Sequence, residues 1–275
     1  MNQYCFLNGE IVPLAKAKVS VLDIGLLRGY GIYDGLSVIN GKVLRFEDHW
    51  QRFERGAKAL NLKIPVTKKV LEQKIIEITD KSGLSKRSNI RLILTGGETI
   101  LGIEYDFDNP TFYAVAEKWN PLPDKCFQKG VKLVSFDYQR ELPEIKTINY
   151  VTAVNLQNFR KENNALEILY THNELVLECA TSNIFIVKDG AIITPLENVL
   201  EGITSKIVQE LVVPEYNLEK RDISKEELKS ADEVFITSSF KDVVPVTTID
   251  DYTVGNGEVG PVTKGIMDRF TKYIA

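Results

Sequence analysis

The sequence predicts a mixed α+β chain in two domains, and three observations predict it. Short apolar runs alternate around Asn-Gly and Asp-Gly pairs, the mark of antiparallel hairpins. Between them stand longer stretches whose apolar residues recur at helical spacing. A run from Glu117 to Lys129, EKWNPLPDKCFQK, loses both periodicities and carries two prolines, which marks a linker. At 275 residues and 44% hydrophobic, the chain can bury a sizeable core in one large or two modest domains. The expected division is an N-terminal α/β domain over residues 1–117, a linker over 118–128 and a larger C-terminal domain over 129–275.

The elements follow in order. Tyr4 to Leu14 alternates around Asn8-Gly9, and Leu36 to Phe46 around Asn40-Gly41, so the chain opens as antiparallel sheet. Between the hairpins lies DIGLLRGYGIYDG, Asp23 to Gly35, with four glycines in thirteen positions but neither GxxxxGK[ST] nor GxGxxG spacing. Phe46, Trp50, Phe53, Ala57 and Leu60 form the buried stripe of a first helix, and Arg52 lies off that stripe. Thr67 caps a second helix with Val70, Leu71, Ile75 and Ile78 inside and Gly83 at its end. Strands follow at Ile90 to Thr95 and Phe112 to Val115, and alternation places Arg91 opposite Ile90 and Leu92. An arginine in an apolar strand is costly unless paired, so Arg91 meets either a protein carboxylate or a substrate carboxylate.

Beyond the linker the pattern gives a strand at Val131 to Phe136, a helix from about Asn149 to Glu162, and strands at Leu166 to Tyr170 and Leu175 to Glu178. Asn183 to Val187 and Ala191 to Thr194 pair around Asp189-Gly190. A helix starts near Thr204, and Ser224 to Glu227 reads as a capping box. VFITSSF and VVPVTTID are the last strands, and Val262, Ile266 and Phe270 face inward on a terminal helix.

Composition narrows the function. The net charge is −4 with both signs spread throughout, so no basic face points to nucleic acid or an anionic membrane, and a small-molecule substrate is the expectation. Cys5, Cys126 and Cys179 lie far apart without CxxC spacing, as reduced thiols in a cytoplasmic protein do. The start, MNQYCFLNGE, has neither a basic n-region nor a long apolar run, so a soluble, cytoplasmic protein is expected. His49 and His172 are the two histidines, too few for a multi-histidine metal site, so no metal is expected and lysine or a cofactor must carry any chemistry.

Lys146 is the lysine with a suitable setting. It stands in RELPEIKTINY, Arg140 to Tyr150, after a proline-marked loop, flanked by Ile145 and Ile148 and followed by Asn149 and Tyr150. An isolated lysine is ordinarily a solvated surface charge. In a partly desolvated site the amine sheds its proton more readily and attacks carbonyls.

With LECATSNIFI, Leu177 to Ile186, this stretch resembles the class IV aminotransferases, the fold-type IV enzymes that use pyridoxal 5′-phosphate (PLP). The resemblance spans nearly the whole chain. It implies the α+β two-domain fold of the D-amino acid aminotransferase kind, with a smaller N-terminal α/β domain and a larger C-terminal PLP-binding domain. It further implies that Lys146 holds the cofactor and shuttles the proton, Glu178 partners the pyridine nitrogen, and Tyr150 bonds the ring oxygen. Arg52, in a pattern similar to H-x-x-R-L, and Ile203, Thr204 and Ser239 would hold the phosphate. Ser239 and Phe240 would also meet the substrate carboxylate, although Ser238-Ser239 stands where the class usually has Gly-Thr. Ile192 either packs on the ring face or is ordinary core.

The subgroup stays open. Asn89-Ile90-Arg91-Leu92 departs from the Tyr-x-Arg-Pro of branched-chain enzymes, and TGGETILGIEY lacks the Arg-x-His of well-known D-amino acid aminotransferases. Arg28 and Arg91 are a pair that could clamp an α-carboxylate, which favours a D-amino acid donor in ping-pong exchange with a 2-oxo acid. A branched-chain L-specific enzyme, an aminodeoxychorismate-lyase type and a non-catalytic relative are the alternatives. The resemblance also implies a homodimer, because the stretch similar to Asp23–Gly35 often reaches the neighbouring subunit's site.

Overall fold

A computed structural model describes residues 3–84, 86–213 and 215–275, so Met1 and Asn2 of the opening stretch lie outside it. The chain forms two compact units. One comprises Met1–Asn120 with Ile145–Tyr150, the other Pro121–Glu144 with Val151–Ala275. The Lys146 segment, expected in the second domain, thus belongs to the first unit, because its backbone bonds to a strand there.

The first unit begins with β1 (Tyr4–Leu7) and β2 (Glu10–Pro13), then α1 (Ile24–Arg28), β3 (Gly31–Ile39), β4 (Lys42–Val43), α2 (Phe46–Ala59), α3 (Lys68–Lys81) and β5 (Arg87–Thr95). A small hairpin, β6 (Thr99–Leu101) and β7 (Glu104–Tyr105), precedes β8 (Thr111–Lys118). Both Asn-Gly pairs form the expected turns, with Asn8 and Asn40 at φ 46 and 50°. The sheet order is β2-β1-β8-β5-β3-β4, antiparallel throughout. One face carries Ile32, Leu36, Ile90, Leu92 and Leu94 onto α2 and α3. On α3 the stripe Leu71, Ile75 and Ile78 is fully buried, each side chain contributing about 1.5–3 kcal/mol. Val70, expected inside, is 39% exposed because it sits beside that stripe rather than on it. The opposite face bears Tyr33, Gly35, Arg91, Ile93 and Glu117, as the register Tyr33↔Ile93, Gly35↔Arg91 and Asn89↔Glu117 requires.

The second unit starts with α4 (Asp124–Lys129), a short helix within the stretch expected as linker, and β9 (Val131–Asp137). The single helix expected over 149–162 is two, α5 (Val151–Asn155) and α6 (Gln157–Glu162), parted at Leu156. Val151, Val154 and Asn155 are weak helix formers, which accounts for the break. Then come β10 (Glu167–His172), β11 (Leu175–Cys179), β12 (Asn183–Lys188), β13 (Ala191–Thr194), α7 (Ile203–Val212), β14 (Asn217–Lys220) and α8 (Lys225–Lys229). Last are β15 (Glu233–Ser238), β16 (Asp242–Ile249), β17 (Tyr252–Thr253) and α9 (Pro261–Ile274). Eight of these strands run in the order β11-β10-β9-β16-β15-β12-β13-β14, and β17 pairs with β16. The Ser224 hydroxyl accepts from the Glu227 N–H at 3.0 Å and caps α8. Helices α7 and α9 pack together and against β15, over the stacked rings of Phe185 and Phe235.

Candidate active site

In the first unit, the segment Ile145–Tyr150 lies beside the Gly31–Tyr33 end of β3, on the side away from β5. Tyr33 N–H donates to the Lys146 carbonyl at 2.9 Å, and Ile148 N–H to the Gly31 carbonyl at 3.0 Å. This close approach needs glycine at 31, where a Cβ would stand 2.7 Å from the Leu94 carbonyl oxygen and 3.0 Å from Ile148 Cδ1. The backbone of Lys146 is therefore fixed to the sheet. Its Nζ lies 4.4 Å from the centre of the Tyr33 ring, and the Tyr150 hydroxyl reaches the Tyr33 hydroxyl at 3.4 Å. Burial alone would raise the Tyr33 pKa, but the Lys146 charge and the hydrogen bonds from Tyr150 and Lys146 outweigh it, and the phenol titrates below the ordinary tyrosine value. Sequence reasoning missed Tyr33. The signal was there, since it stands in the glycine-rich stretch on the opposite face of β3 from the core residues Ile32 and Leu36.

Below the sheet, on the core face of β3, Asp34 is 1% exposed. Arg52 Nε and Nη2 donate to its two oxygens at 3.1 and 2.5 Å, and His49 Nδ1 lies 3.1 Å from Oδ1. Arg52, off the apolar stripe of α2, is buried with its charge met by Asp34. Burial would raise the Asp34 pKa, but the Arg52 and His49 charges dominate and hold it well below the carboxylate range. Burial lowers the His49 pKa, and Asp34 only partly offsets that.

In the second unit, Glu178 on β11 is enclosed. Arg140 Nε and Nη2 donate to its Oε1 at 2.9 and 2.6 Å, and Leu200 N–H to its Oε2 at 3.1 Å. Asn183 Nδ2 donates to the Leu200 carbonyl at 2.7 Å. A Cβ on Gly202 would fall 1.9 Å from Asn183 Oδ1, so any larger residue there would have to displace the Asn183 amide from its bond to Leu200. Gly202 is the N-cap of α7 and makes no side-chain cap, and Ile203 and Thr204 open the helix. Ser239 and Phe240 sit half-buried in the turn between β15 and β16. Ile192 is wholly buried on β13.

The two proposed carboxylate ligands lie in the first unit. Arg28 ends α1, exposed, with Nη1 donating to the Leu27 carbonyl at 2.9 Å. Arg91 is half-exposed and donates through Nε to Glu117 at 2.8 Å, so a protein carboxylate meets it. It shares with Tyr33 the sheet face opposite the core residues Ile32 and Leu36.

These groups suit PLP chemically. A helix start without a side-chain cap, behind a glycine, offers backbone N–H groups to a phosphate. Glu178, with Arg140 as counter-charge, is a carboxylate of the kind that binds a pyridinium N–H. Lys146 is an amine set against an aromatic face. Among the described residues no cluster of three or more His, Cys, Asp or Glu could hold a metal, and no helix is long and apolar enough to cross a membrane.

Comparison with known proteins gives a consistent result. A model of the amino-transferase class IV family matches residues 31–249. A Staphylococcus haemolyticus D-alanine aminotransferase is 32% identical, over 98% of this chain and 97% of its own. A Methanocaldococcus jannaschii protein, provisionally named a branched-chain-amino-acid aminotransferase, is 31% identical over 96% and 94%. Among solved structures, the Escherichia coli branched-chain amino acid aminotransferase superposes with TM-score 0.93 at 25% identity, covering 100% of this chain and 95% of its own.

Proposed function

The chain belongs to the class IV aminotransferases, PLP enzymes that transfer amino groups, and from that premise we propose that it is a transaminase for D-amino acid donors. The observation behind the donor-carboxylate site is Arg91, and the preference for D-donors rests on the similar proteins and on Leu92. It stands on the same sheet face as Tyr33, the residue whose ring meets Lys146, and not on the core face. The reading is further supported by D-alanine aminotransferases among the similar proteins and by Leu92 in place of the proline that branched-chain enzymes tend to carry.

Each residue has a defined task in this reading. PLP, when bound, supplies an aldehyde to take the amino group and a ring that draws off the electron pair left at the donor α-carbon. Lys146 Nζ would hold the cofactor between turnovers and, once freed by the donor, would move the donor α-proton to the cofactor carbon that receives the amino group. Glu178 holds the proton on the pyridine nitrogen, and Tyr150 donates to the ring oxygen. The N–H of Ile203 and the hydroxyls of Thr204 and Ser239 would hold the phosphate from the second unit, and Arg52 is proposed as a further donor on the resemblance of its helix to the family pattern. Ile192 supports the ring side from the core. Ser239 and Phe240 present the turn that meets the donor carboxylate, with Arg91, released from Glu117, and Arg28 as its cationic partners. The exchange is ping-pong: the first 2-oxo acid leaves before the second enters.

Arg28 would act from a second copy, making the enzyme a homodimer. The observation behind this is an exposed apolar patch in the first unit: Val21, Leu22, Leu26 and Leu27 beside Ile100, Leu101 and Ile103. The Thr99 N–H to Leu22 carbonyl bond, 3.0 Å, holds the two stretches together. Sedimentation should therefore show a two-chain particle, and a monomer at micromolar concentration would contradict it. The chain is further proposed to work in the cytoplasm, on the strength of its three unpaired cysteines.

The donor reading is tested by Arg91→Leu. It should raise the D-donor KM by tenfold or more, roughly the worth of one charge-assisted bond. An unchanged KM would remove Arg91 from the site.

A further inference from the structure

One buried carboxylate of the second unit has no task in the scheme above. Glu167, the first residue of β10, is 4% exposed. Its Oε1 accepts from the Thr181 hydroxyl, from the Ser182 hydroxyl at 3.0 Å and from the Lys241 ammonium. Lys241 Nζ also reaches Thr181 Oγ1 at 2.5 Å. An enclosed carboxylate survives only when its charge and lone pairs are met, and here one oxygen gathers a cation and two hydroxyls.

The topology says what this cluster joins. Ala180 N–H donates to the Ile168 carbonyl at 2.9 Å, so the turn after Glu178 lies at the start of β10. Asn183 pairs with Thr237, so the same turn leads into the strand beside β15. The turn that follows β15 carries Ser239 and Phe240. Lys241 N–H donates to the Ser238 carbonyl and hydroxyl, both at 3.3 Å, and closes that turn, with Asp242 following at φ 61°. The Lys241 side chain then crosses from this turn to the one after Glu178. Two turns that flank the Glu178 end of the sheet are thus tied through a single buried oxygen.

We propose that Lys241 is a positioning residue: through Glu167 and Thr181 it sets the placement of the Ser239–Phe240 turn relative to the Glu178 strand, and so the docking of the donor carboxylate. The inference rests on the assignment of Ser239 and Phe240 to substrate and extends it to the residue that aims them. An ammonium suits the task because its three donors span Glu167 and Thr181 together, whereas the backbone amide of the same residue fixes the turn. Lys241 itself touches no reacting atom. Its loss should misplace a binding group and leave the proton-transfer groups where they are.

The test uses the PLP-loaded enzyme and whichever of D-alanine or L-leucine the unaltered protein accepts. Lys241→Met should raise the donor KM by about tenfold with kcat changed by no more than about twofold, the pattern of a lost binding placement. Lys241→Arg should restore most of the loss, the visible PLP band should keep its position, and Glu167→Gln should reproduce the KM effect. The double variant should be no worse than Lys241→Met alone, because both act through one contact. An unchanged KM in soluble Lys241→Met overturns the proposal. So does a parallel loss of kcat, PLP band and melting temperature that Lys241→Arg does not repair, since that is a structural defect only. If Lys241→Met does not fold, Glu167→Gln decides alone by the same KM criterion. If the unaltered enzyme accepts neither donor, the functional assignment has failed first, and the proposal falls with it.

Discussion

Asp34 shows how one buried charge is tolerated and what it costs to disturb. Its two oxygens take Arg52, and His49 closes the cluster, so the core face of β3 holds a carboxylate at 1% exposure. Replacing Asp34 by Asn would leave Arg52 without its counter-charge. The expected loss is about 3–5 kcal/mol in chemical denaturation, and a loss below about 1 kcal/mol would contradict the ion pair's role. The pH dependence follows from the directions of the shifts. Burial lowers the folded-state pKa of His49, so below about pH 6.5 the unfolded chain binds a proton that the folded one does not, and stability falls on acidification. The Asp34 pKa is depressed, so its stabilisation is complete above about pH 4 and is lost progressively below it. Denaturation midpoints from pH 8 to pH 3 should therefore fall in two stages, and Asp34→Asn should diminish the second, to which Glu227 and other paired carboxylates also contribute. At the same scale, Arg52 was legible as a charged residue off the apolar stripe but not as a buried one. Its partner Asp34 lies on another element, and no local pattern records a cross-element ion pair.

The elements place these groups with few devices, and the start of α7 is the clearest. Glu178 accepts from the Leu200 N–H, Asn183 Nδ2 donates to the Leu200 carbonyl with its amide oxygen packed beside Gly202, and both bonds fix the loop that leads to Ile203 and Thr204. Gly202→Ala would drive a Cβ into Asn183 and shift the uncapped helix start. PLP affinity, followed by absorbance titration, should drop at least tenfold, and an unchanged affinity would sever α7 from the phosphate. Much of this level was readable beforehand. Asn-Gly turns, the Thr67 and Ser224 caps and the 3.6-residue stripes are local, and they appear where local chemistry puts them. What escaped notice was β14, whose NLEK is polar and gains its strand state by pairing with β13. The edge pairing of Ile145–Tyr150 with β3 escaped for the same reason, since strand partnership across the chain has no sequence signature. Tyr33 was missed with it.

For the whole molecule, the family model and the curated relatives agree on a PLP-dependent aminotransferase, and the relatives divide over the donor. The central claim is that Lys146-bound PLP takes its amino group from D-amino acids. The most direct measurement is the visible absorbance of the PLP-loaded protein as D-alanine, D-glutamate and L-leucine are added separately, with Lys146→Ala alongside. A coloured band should bleach with the two D-amino acids and not with L-leucine, and Lys146→Ala should show no such response. Bleaching with L-leucine alone, or a response to donors that survives in Lys146→Ala, would contradict the claim.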